Sequence, residues 1–161
     1  MLDGYFAAAL MAGYTQPELD HIQTQWKLRF PPDLVALMRE RRLRVGWVVR
    51  SDTDLRRYPV DWISSPNHEI EEVLTQPIDS FLSSMERNKR WWPEWGEWPK
   101  TEAERHEKLS AVLADAPRLI PIDGRYLPSE PYEEVNPVIS IAGCDAIYYG
   151  ANLQDWLARE G

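Results

Sequence analysis

The sequence predicts an α+β fold in which an antiparallel sheet is packed by several helices. Apolar residues recur at three- and four-residue spacing through the earlier part of the chain, which is the period of an amphipathic helix. Short runs rich in β-branched residues follow later and are separated by glycine-containing turns, which indicates hairpins. The length of 161 residues matches one ordinary domain and is too short for two typical cores. A single domain covering residues 1–161 is therefore expected.

Two helices that meet at a proline corner are predicted near the start of the chain. Thr15-Gln16-Pro17-Glu18 has the pattern of a capping box, and the apolar positions after it share one helical face, which predicts a helix over residues 17–27. Pro31-Pro32 ends this helix, because proline lacks an amide hydrogen and restricts the residue before it. Helical spacing restarts at Leu34, which predicts the second helix.

A first strand and a cluster of arginines follow the second helix. Val45, Trp47 and the neighbouring valines suit a pleated surface and predict a strand over residues 44–50, with Asp52–Asp54 as its polar stop. The arginines near the end of the second helix are interpreted as cations that offset the negative end of its dipole. These residues are Arg39, Arg41, Arg42 and Arg44.

The middle of the chain is predicted to be mainly helical, with one aromatic loop. Asn67 can cap a short helix, and Pro77 can begin another. Two prolines and a glycine argue against continuous helix over residues 91–99 despite the bulky side chains, so this stretch is predicted to be a loop. A second capping box at Thr101–Glu104 predicts a further helix, and Pro117 ends its pattern.

Two hairpins and a last helix complete the prediction. Asp123-Gly124 can adopt the positive φ angles of a tight turn, and it separates two short apolar runs. Gly143–Asp145 separates a second pair of runs in the same way, so the sheet is expected to be antiparallel. Asn152 then caps a helix in which Leu153 and Trp156 share a face.

Composition and charge exclude several classes of function. The 18 Lys and Arg residues against 26 Asp and Glu give a formal net charge of -8, which opposes affinity for nucleic acid or for an anionic membrane surface. No apolar run reaches the roughly 20 residues of a membrane-spanning helix. Residues 5–12 are expected to form a buried first helix rather than a secretory signal, because Asp3 precedes them and no Lys or Arg does. A cytoplasmic protein is therefore expected.

Metal, cofactor and catalytic motifs are not recognised. Cys144 is the single cysteine, so neither an intrachain disulfide nor a cysteine-rich metal site can form. His21, His68 and His106 lack the spacing of zinc motifs. No glycine-rich phosphate loop or nucleophile elbow occurs, and the glutamate runs are typical of solvated helix faces. The expectation is a protein without metal, cofactor or catalysis; a hydrolase with scattered carboxylates is the weakest alternative.

Several stretches of the chain together carry a resemblance to a known family. They are Gly13–Leu19, Phe30–Leu34, Trp91–Gly96, Leu119–Ile122, Arg125–Ser129, Asn136–Val138 and Ile147–Gly150. In this order they resemble a bacterial branch of the SUKH superfamily, the Smi/Knr-type domain, from about Gly13 to Glu160. The chain departs from that branch at Gly124, where a His is expected, and it lacks an Asn-Gly turn before Val45. These departures leave the partner's identity open.

The resemblance implies an α+β domain with an antiparallel sheet packed by helices, and a role in partner binding. Many bacterial members of the family are thought to be immunity proteins that neutralise toxins delivered between competing cells. Fungal relatives act as regulatory interaction proteins in cell-wall assembly. Neither role requires catalysis.

A tryptophan-rich stretch is the first candidate partner-binding site. Indole rings offer large contact areas at low entropic cost and often anchor interfaces. Four of them occur within residues 91–98: Trp91, Trp92, Trp95 and Trp98. The structural alternative is that Trp91 and Trp95 fill the gap between helices and sheet while the other two lean on prolines.

The hairpins supply the second group of candidates. Arg125 and Tyr126 follow a tight turn, and they are expected to project beside Asp145 as a mixed polar site. Alternation along a strand places Tyr148 and Tyr149 on opposite faces, so one of them is expected near solvent or a pocket. Simple packing of the hairpins is the alternative in both cases.

The leading functional hypothesis is a non-catalytic protein-binding module, an immunity or immunity-like protein that occludes a toxin partner. Acidic faces would steer the module onto a basic partner surface, and exposed tryptophans would anchor it. The alternative is a small-molecule or peptide receptor with a pocket bordered by Arg125, Tyr126 and a Trp.

Overall fold

The computed structural model describes residues 12–129 and 136–160. These two ranges form five α-helices and six strands, which confirms a single-domain α+β fold. The helices are α1 (Gln16–Trp26), α2 (Pro32–Glu40), α3 (Asn67–Asn88), α4 (Glu102–Val112) and α5 (Leu153–Glu160). The strands are β1 (Gly46–Ser51), β2 (Asp54–Val60), β3 (Leu119–Ile122), β4 (Arg125–Pro128), β5 (Val138–Ala142) and β6 (Asp145–Gly150). Of the buried helix predicted over residues 5–12, only Ala12 lies within the described residues, and there the prediction is wrong, because Ala12 is exposed and forms an antiparallel bridge with Arg41.

Both predicted capping boxes are confirmed. The amide of Thr15 donates to Glu18 Oε2 at 2.7 Å, and the Thr15 hydroxyl accepts from the amide of Glu18 at 3.4 Å. The same reciprocal pair joins Thr101 and Glu104 at the start of α4. Each box satisfies two amides that a helix start leaves without partners, which explains why α1 and α4 begin where the sequence indicates.

The strands pair antiparallel, as predicted, but they fall into two sheets. β1 pairs with β2, and the second sheet has the order β3-β4-β5-β6. The sequence predicts Asp52–Asp54 as the polar end of a single strand, and this prediction is wrong because β2 follows. Asp52 and Thr53 instead form a turn, and Asp54 begins the returning strand. The sequence does not predict β2, because most of its residues are exposed and it lacks the apolar run of a buried strand.

One long helix replaces the two that were predicted in the middle of the chain. α3 runs for 22 residues through Pro77, and Pro66 rather than Asn67 occupies its N-cap position. Pro77 removes one hydrogen bond from the helix, but its side chain is buried in the same stripe as Ile70 and Val73. Tertiary packing of this stripe therefore outweighs the local signal to break the helix.

Two of the arginines beyond α2, Arg42 and Arg44, have tertiary partners, which corrects their interpretation as dipole-balancing charges. Arg39 does lie in the last turn of α2. Arg42 lies past the helix and pairs with Asp61 at 2.6 Å, and Arg44 pairs with Asp123 at 3.3 Å. Both acids are distant in sequence, so helical spacing alone could not reveal these contacts.

Two hydrophobic clusters support the fold. The larger one joins α1, α2 and α5 to both sheets and contains the fully buried Leu19, Leu34 and Ile120. The smaller one lies between α3 and α4 and is built on Leu82, Met85 and Leu109. This second core carries the tryptophan loop that follows α3.

Candidate binding site

A cavity of about 650 Å³ opens between the β1–β2 hairpin, α3 and the β3–β4 hairpin; we call it the cleft. Residues 45–49 line one wall, residues 123–126 line the opposite wall, and α3 supplies side chains including Gln76. The amide of Asp123 donates to the carbonyl of Arg44 at 2.9 Å, so the two walls are tied together at one point. The cleft is large enough for a small molecule or a short peptide segment.

Arg125 and Tyr126, both predicted site residues, line this cleft. The Tyr126 hydroxyl lies 3.3 Å from Gln76 Oε1, and burial of its ring raises the pKa of Tyr126 to about 12. The guanidinium carbon of Arg125 lies 3.9 Å from the centre of the Tyr149 ring, a cation–π contact. These contacts hold the two side chains in place, so the cleft wall is ordered before any ligand arrives.

Trp47 also lines the cleft and was not singled out from the sequence as a site residue. The guanidinium carbon of Arg44 lies 4.6 Å from the centre of its ring. Strand alternation is the signal that could have found it: Val48 faces the core, so Trp47 faces the other way. Together with Arg125 and Tyr126, it gives the predicted pocket of Trp, Tyr and Arg, although the tryptophan is not one of the 91–98 group.

Asp145 and Tyr148 lie elsewhere on the second sheet. Asp145 pairs with Ala142 beside the β5–β6 turn, and β5 separates β6 from β4. Asp145 and Arg125 therefore do not lie on neighbouring strands. They belong to separate hairpins, each with a register fixed by its own turn, and β5 runs between their strands. Tyr148 is 72% exposed on the edge strand β6, whereas Tyr149 packs against the larger core. The expectation that one of the two tyrosines faces solvent is confirmed.

The four tryptophans after α3 form an interlocked aromatic group. Trp91 and Trp95 meet edge to face, with ring centres 5.2 Å apart, and both pack on the second core together with Cys144 of the β5–β6 turn. Trp98 lies nearly perpendicular to Trp91, with ring centres 5.4 Å apart, and the guanidinium of Arg105 lies over the Trp98 ring. Trp91 and Trp95 therefore follow the alternative to partner binding, in which these rings fill space inside the fold: both pack between the helices and the β5–β6 turn.

Trp92 is the outward member of the group. It is 40% exposed, and its ring stacks on Phe81 with centres 5.8 Å apart and 20° between the planes. A shallow hollow of about 410 Å³ adjoins it. The hollow is lined by Lys89, Arg90, Trp91, Trp92 and Pro93, which we call the tryptophan surface. Its two cations are exposed, so this surface differs in charge from the acidic protein around it.

The predicted site residues are thus divided between the aromatic group that follows α3, the cleft and the β6 strand. Within residues 12–129 and 136–160, no three His, Cys, Asp or Glu side chains lie close enough together to hold a metal ion. None of the helices in those ranges combines the length and the apolar character needed to cross a membrane. No family model, curated protein or solved structure matches the chain.

Proposed function

We propose that the protein is a non-catalytic protein-binding module of the SUKH type, an immunity or immunity-like protein that acts in the cytoplasm by occluding a toxin. The observation that carries the proposal is the tryptophan surface, where the exposed Trp92 adjoins an open hollow lined by Arg90. Trp and Arg are the residues that most often dominate the binding energy of protein interfaces. The resemblance of the sequence to SUKH immunity proteins supports the choice of partner.

Preorganisation strengthens this proposal. Trp92 rests on Phe81, and the ring centres of Trp92 and Trp95 lie 4.7 Å apart. An anchor held in this way loses little conformational entropy when a partner covers it, so more of the contact energy appears as affinity. The net charge of -8 attracts a basic toxin to the acidic remainder of the protein over distances of about a Debye length. Lys89 and Arg90 of the tryptophan surface would then face a neutral or acidic patch of that toxin.

Co-purification with the products of neighbouring genes, followed by titration of each purified candidate partner, tests the proposal. Trp92→Ala is expected to weaken binding by about 30-fold, as for an interface hot spot. The variant should still fold, since Trp92 belongs to neither core cluster and its ring contacts with Phe81 and Trp95 contribute about 1 kcal/mol each. Leu55→Ala is the matched control. Leu55 lies on β2 just after the β1–β2 turn, is 78% exposed and lies outside the tryptophan surface.

Two results would contradict the proposal. One is a partner whose affinity is the same for the wild-type chain and for Trp92→Ala. The other is turnover of a substrate by the purified chain, abolished by a single side-chain change. Protection of cells from a toxin when this chain is co-expressed, with loss of protection in Trp92→Ala at equal protein level, would support it.

The cleft favours a second candidate function, a small-molecule or peptide receptor. Trp47, Tyr126 and Arg125 supply apolar, hydrogen-bonding and cationic groups around one cavity, which is the usual composition of a ligand site. Native mass spectrometry of the chain purified from its own cells tests this function. A bound metabolite displaced by Trp47→Ala would favour the receptor over the occluding module.

A further inference from the structure

We propose that the cleft binds an extended segment of the partner protein, which adds a strand to the open edge of β1. The inference rests on the proposed protein-binding function and specifies how part of the partner is held. β1 pairs with β2 along one edge, and no other described strand pairs with it. Five consecutive residues of this region, 45–49, line the cleft, so the open edge faces the cavity rather than the protein interior.

Pro59 shows which backbone groups of β1 point into the cleft. It lies opposite Trp47 in the β1–β2 pair, and proline has no amide hydrogen to donate. A proline is accommodated within a strand where its nitrogen points away from the neighbouring strand. Residues opposite each other in an antiparallel pair point their backbone groups either toward each other or both away. The amide and carbonyl of Trp47, and those of Val49 two residues later, therefore point to the open edge.

The cleft has the length and the walls that a short strand needs. A five-residue strand extends over about 17 Å, which matches the stretch of β1 that lines the cavity. Alternate side chains of a bound segment would face α3 on one side and Trp47 on the other. Unpaired edges of this kind are the sites at which peptide segments add to a sheet, since the backbone supplies the hydrogen bonds and side-chain pockets supply selectivity.

Charge indicates the chemistry of the segment. Arg57 of β2 and Glu72 of α3 both line the cleft and are both exposed. Arg57 lies opposite Val49, on the strand face that carries Trp47. The complementary segment would carry an acidic residue on the face toward Arg57 and a basic residue on the face toward Glu72, with small or apolar residues between them.

A displayed library of linear nine-residue peptides, selected on the full chain, tests the inference. Peptides enriched on the wild type alone are then titrated against Val49→Pro, which removes an amide that points into the cleft but no hydrogen bond to β2. Val49→Thr is the matched control, because it keeps the amide. Enriched peptides should bind the wild type and Val49→Thr alike and bind Val49→Pro at least about tenfold more weakly.

Single N-methylation along one enriched peptide gives a second measurement that does not depend on the folding of Val49→Pro. Because the backbone groups of a strand alternate in direction, affinity should fall about tenfold or more at every second residue and change little between them. Uniform losses, no losses, or a library without peptides that discriminate Val49→Thr from Val49→Pro would overturn the inference.

The test separates this inference from the proposed function. If a partner protein is captured in a Trp92-dependent manner while edge-pairing peptides fail, the protein-binding function stands and strand addition is wrong. If peptides pair with β1 but no partner depends on Trp92, the proposed interface is wrong and the cleft is a peptide site in its own right.

Discussion

Replacing Asp61 should show how strongly one half-buried carboxylate holds distant parts of this fold together. The Asp61 carboxylate accepts hydrogen bonds from Arg42 Nε at 2.6 Å, from the Tyr14 hydroxyl at 2.9 Å and from the amides of Ile63 and Ser64 at 2.9 Å each. Tyr14 precedes α1, Arg42 follows α2, and Asp61 follows β2. Three separate chain segments therefore meet at one carboxylate.

The protonation states at this carboxylate are set by competing effects. Burial by itself would raise the pKa of Asp61, but the hydrogen bonds from Arg42 and from the Ser64 and Ile63 amides outweigh it, and the pKa is lowered. Burial, reinforced by the negative charge of Asp61, raises the pKa of Tyr14, so its hydroxyl remains a hydrogen donor. The ionised form of Asp61 is thus the form that the fold requires.

Asp61→Asn is expected to lower the free energy of unfolding by about 2–4 kcal/mol at pH 7. A hydrogen bond to a charged group contributes about 1.5–3 kcal/mol, and the substitution also leaves Arg42 as a part-buried charge without its counterion. In a double-mutant cycle with Arg42→Ala, the coupling should be about 1.5–3 kcal/mol. The side chains of Arg42 and Asp61 are only 16% and 19% exposed, so solvent screening is limited.

Urea unfolding of the wild type, both single variants and the double variant measures this coupling, with equal m-values as the check on two-state behaviour. The exposed pair Asp155–Arg159 within α5 is the matched control and should show much weaker coupling. A coupling between Arg42 and Asp61 below about 0.5 kcal/mol would refute the reasoning, because it would mean that water replaces the pair without cost.

The same carboxylate predicts an acid-dependent loss of stability. Its pKa is lower in the folded chain than in the unfolded chain, where it is about 3.9. The stabilisation is therefore fully present above about pH 4 and is lost as the pH falls toward the folded value. Asp61→Asn should lose less stability than the wild type between pH 5 and pH 3, and parallel profiles for the two proteins would contradict this assignment.

Two further predictions concern the hairpins. The pKa of Tyr126 is raised to about 12 from an ordinary value of about 10, so the free energy of unfolding of the wild type should fall as the pH rises between these values. The stability of Tyr126→Phe should fall less over the same range. Equal slopes for the two proteins in urea titrations at alkaline pH would show that the ring is accessible to water. Gly143 has φ of 62°, and an added Cβ would lie 2.7 Å from Ser84 Oγ, so Gly143→Ala should cost about 2–4 kcal/mol. In a Ser84→Gly background the same change should cost only about 1–2 kcal/mol, and an undiminished cost would contradict the contact.

The elements that were predicted correctly are those whose signals are local. A capping box needs only residues three apart, and the Asp123-Gly124 turn needs two adjacent residues that tolerate positive φ, as both do here at 48° and 82°. The cap at Asn152 is of the same kind, since its side chain accepts from the amide of Asp155 at 2.8 Å. Such interactions form within one turn of chain, so the sequence contains all the information they require.

The elements that were missed depend on contacts between distant residues. The local sequence predicts a helix start at Pro77, but burial of the proline side chain keeps α3 continuous through this residue. β2 has few buried residues and is stabilised by its partner strand, so its own composition does not predict a strand. Arg42 could not be distinguished from Arg39 until Asp61 was brought beside it.

The candidate site shows the same division. The sequence alone indicated the tryptophan group, Arg125 and Tyr126, and a protein whose acidic charge disfavours polyanionic partners. It could not decide which indole is exposed, because burial depends on how α3 and α4 pack around the loop.

Only the tertiary structure revealed the cleft and the edge of β1 with which no strand of residues 12–129 and 136–160 pairs. A cavity belongs to the space between elements rather than to any one of them, and here its walls come from residues near 47, 76 and 125. Local chemistry determined where helices and turns begin, because the free energies of helix capping and turn formation depend on residues that are close in sequence. The packing of two sheets against one long helix determined which side chains and backbone groups remain available to a partner.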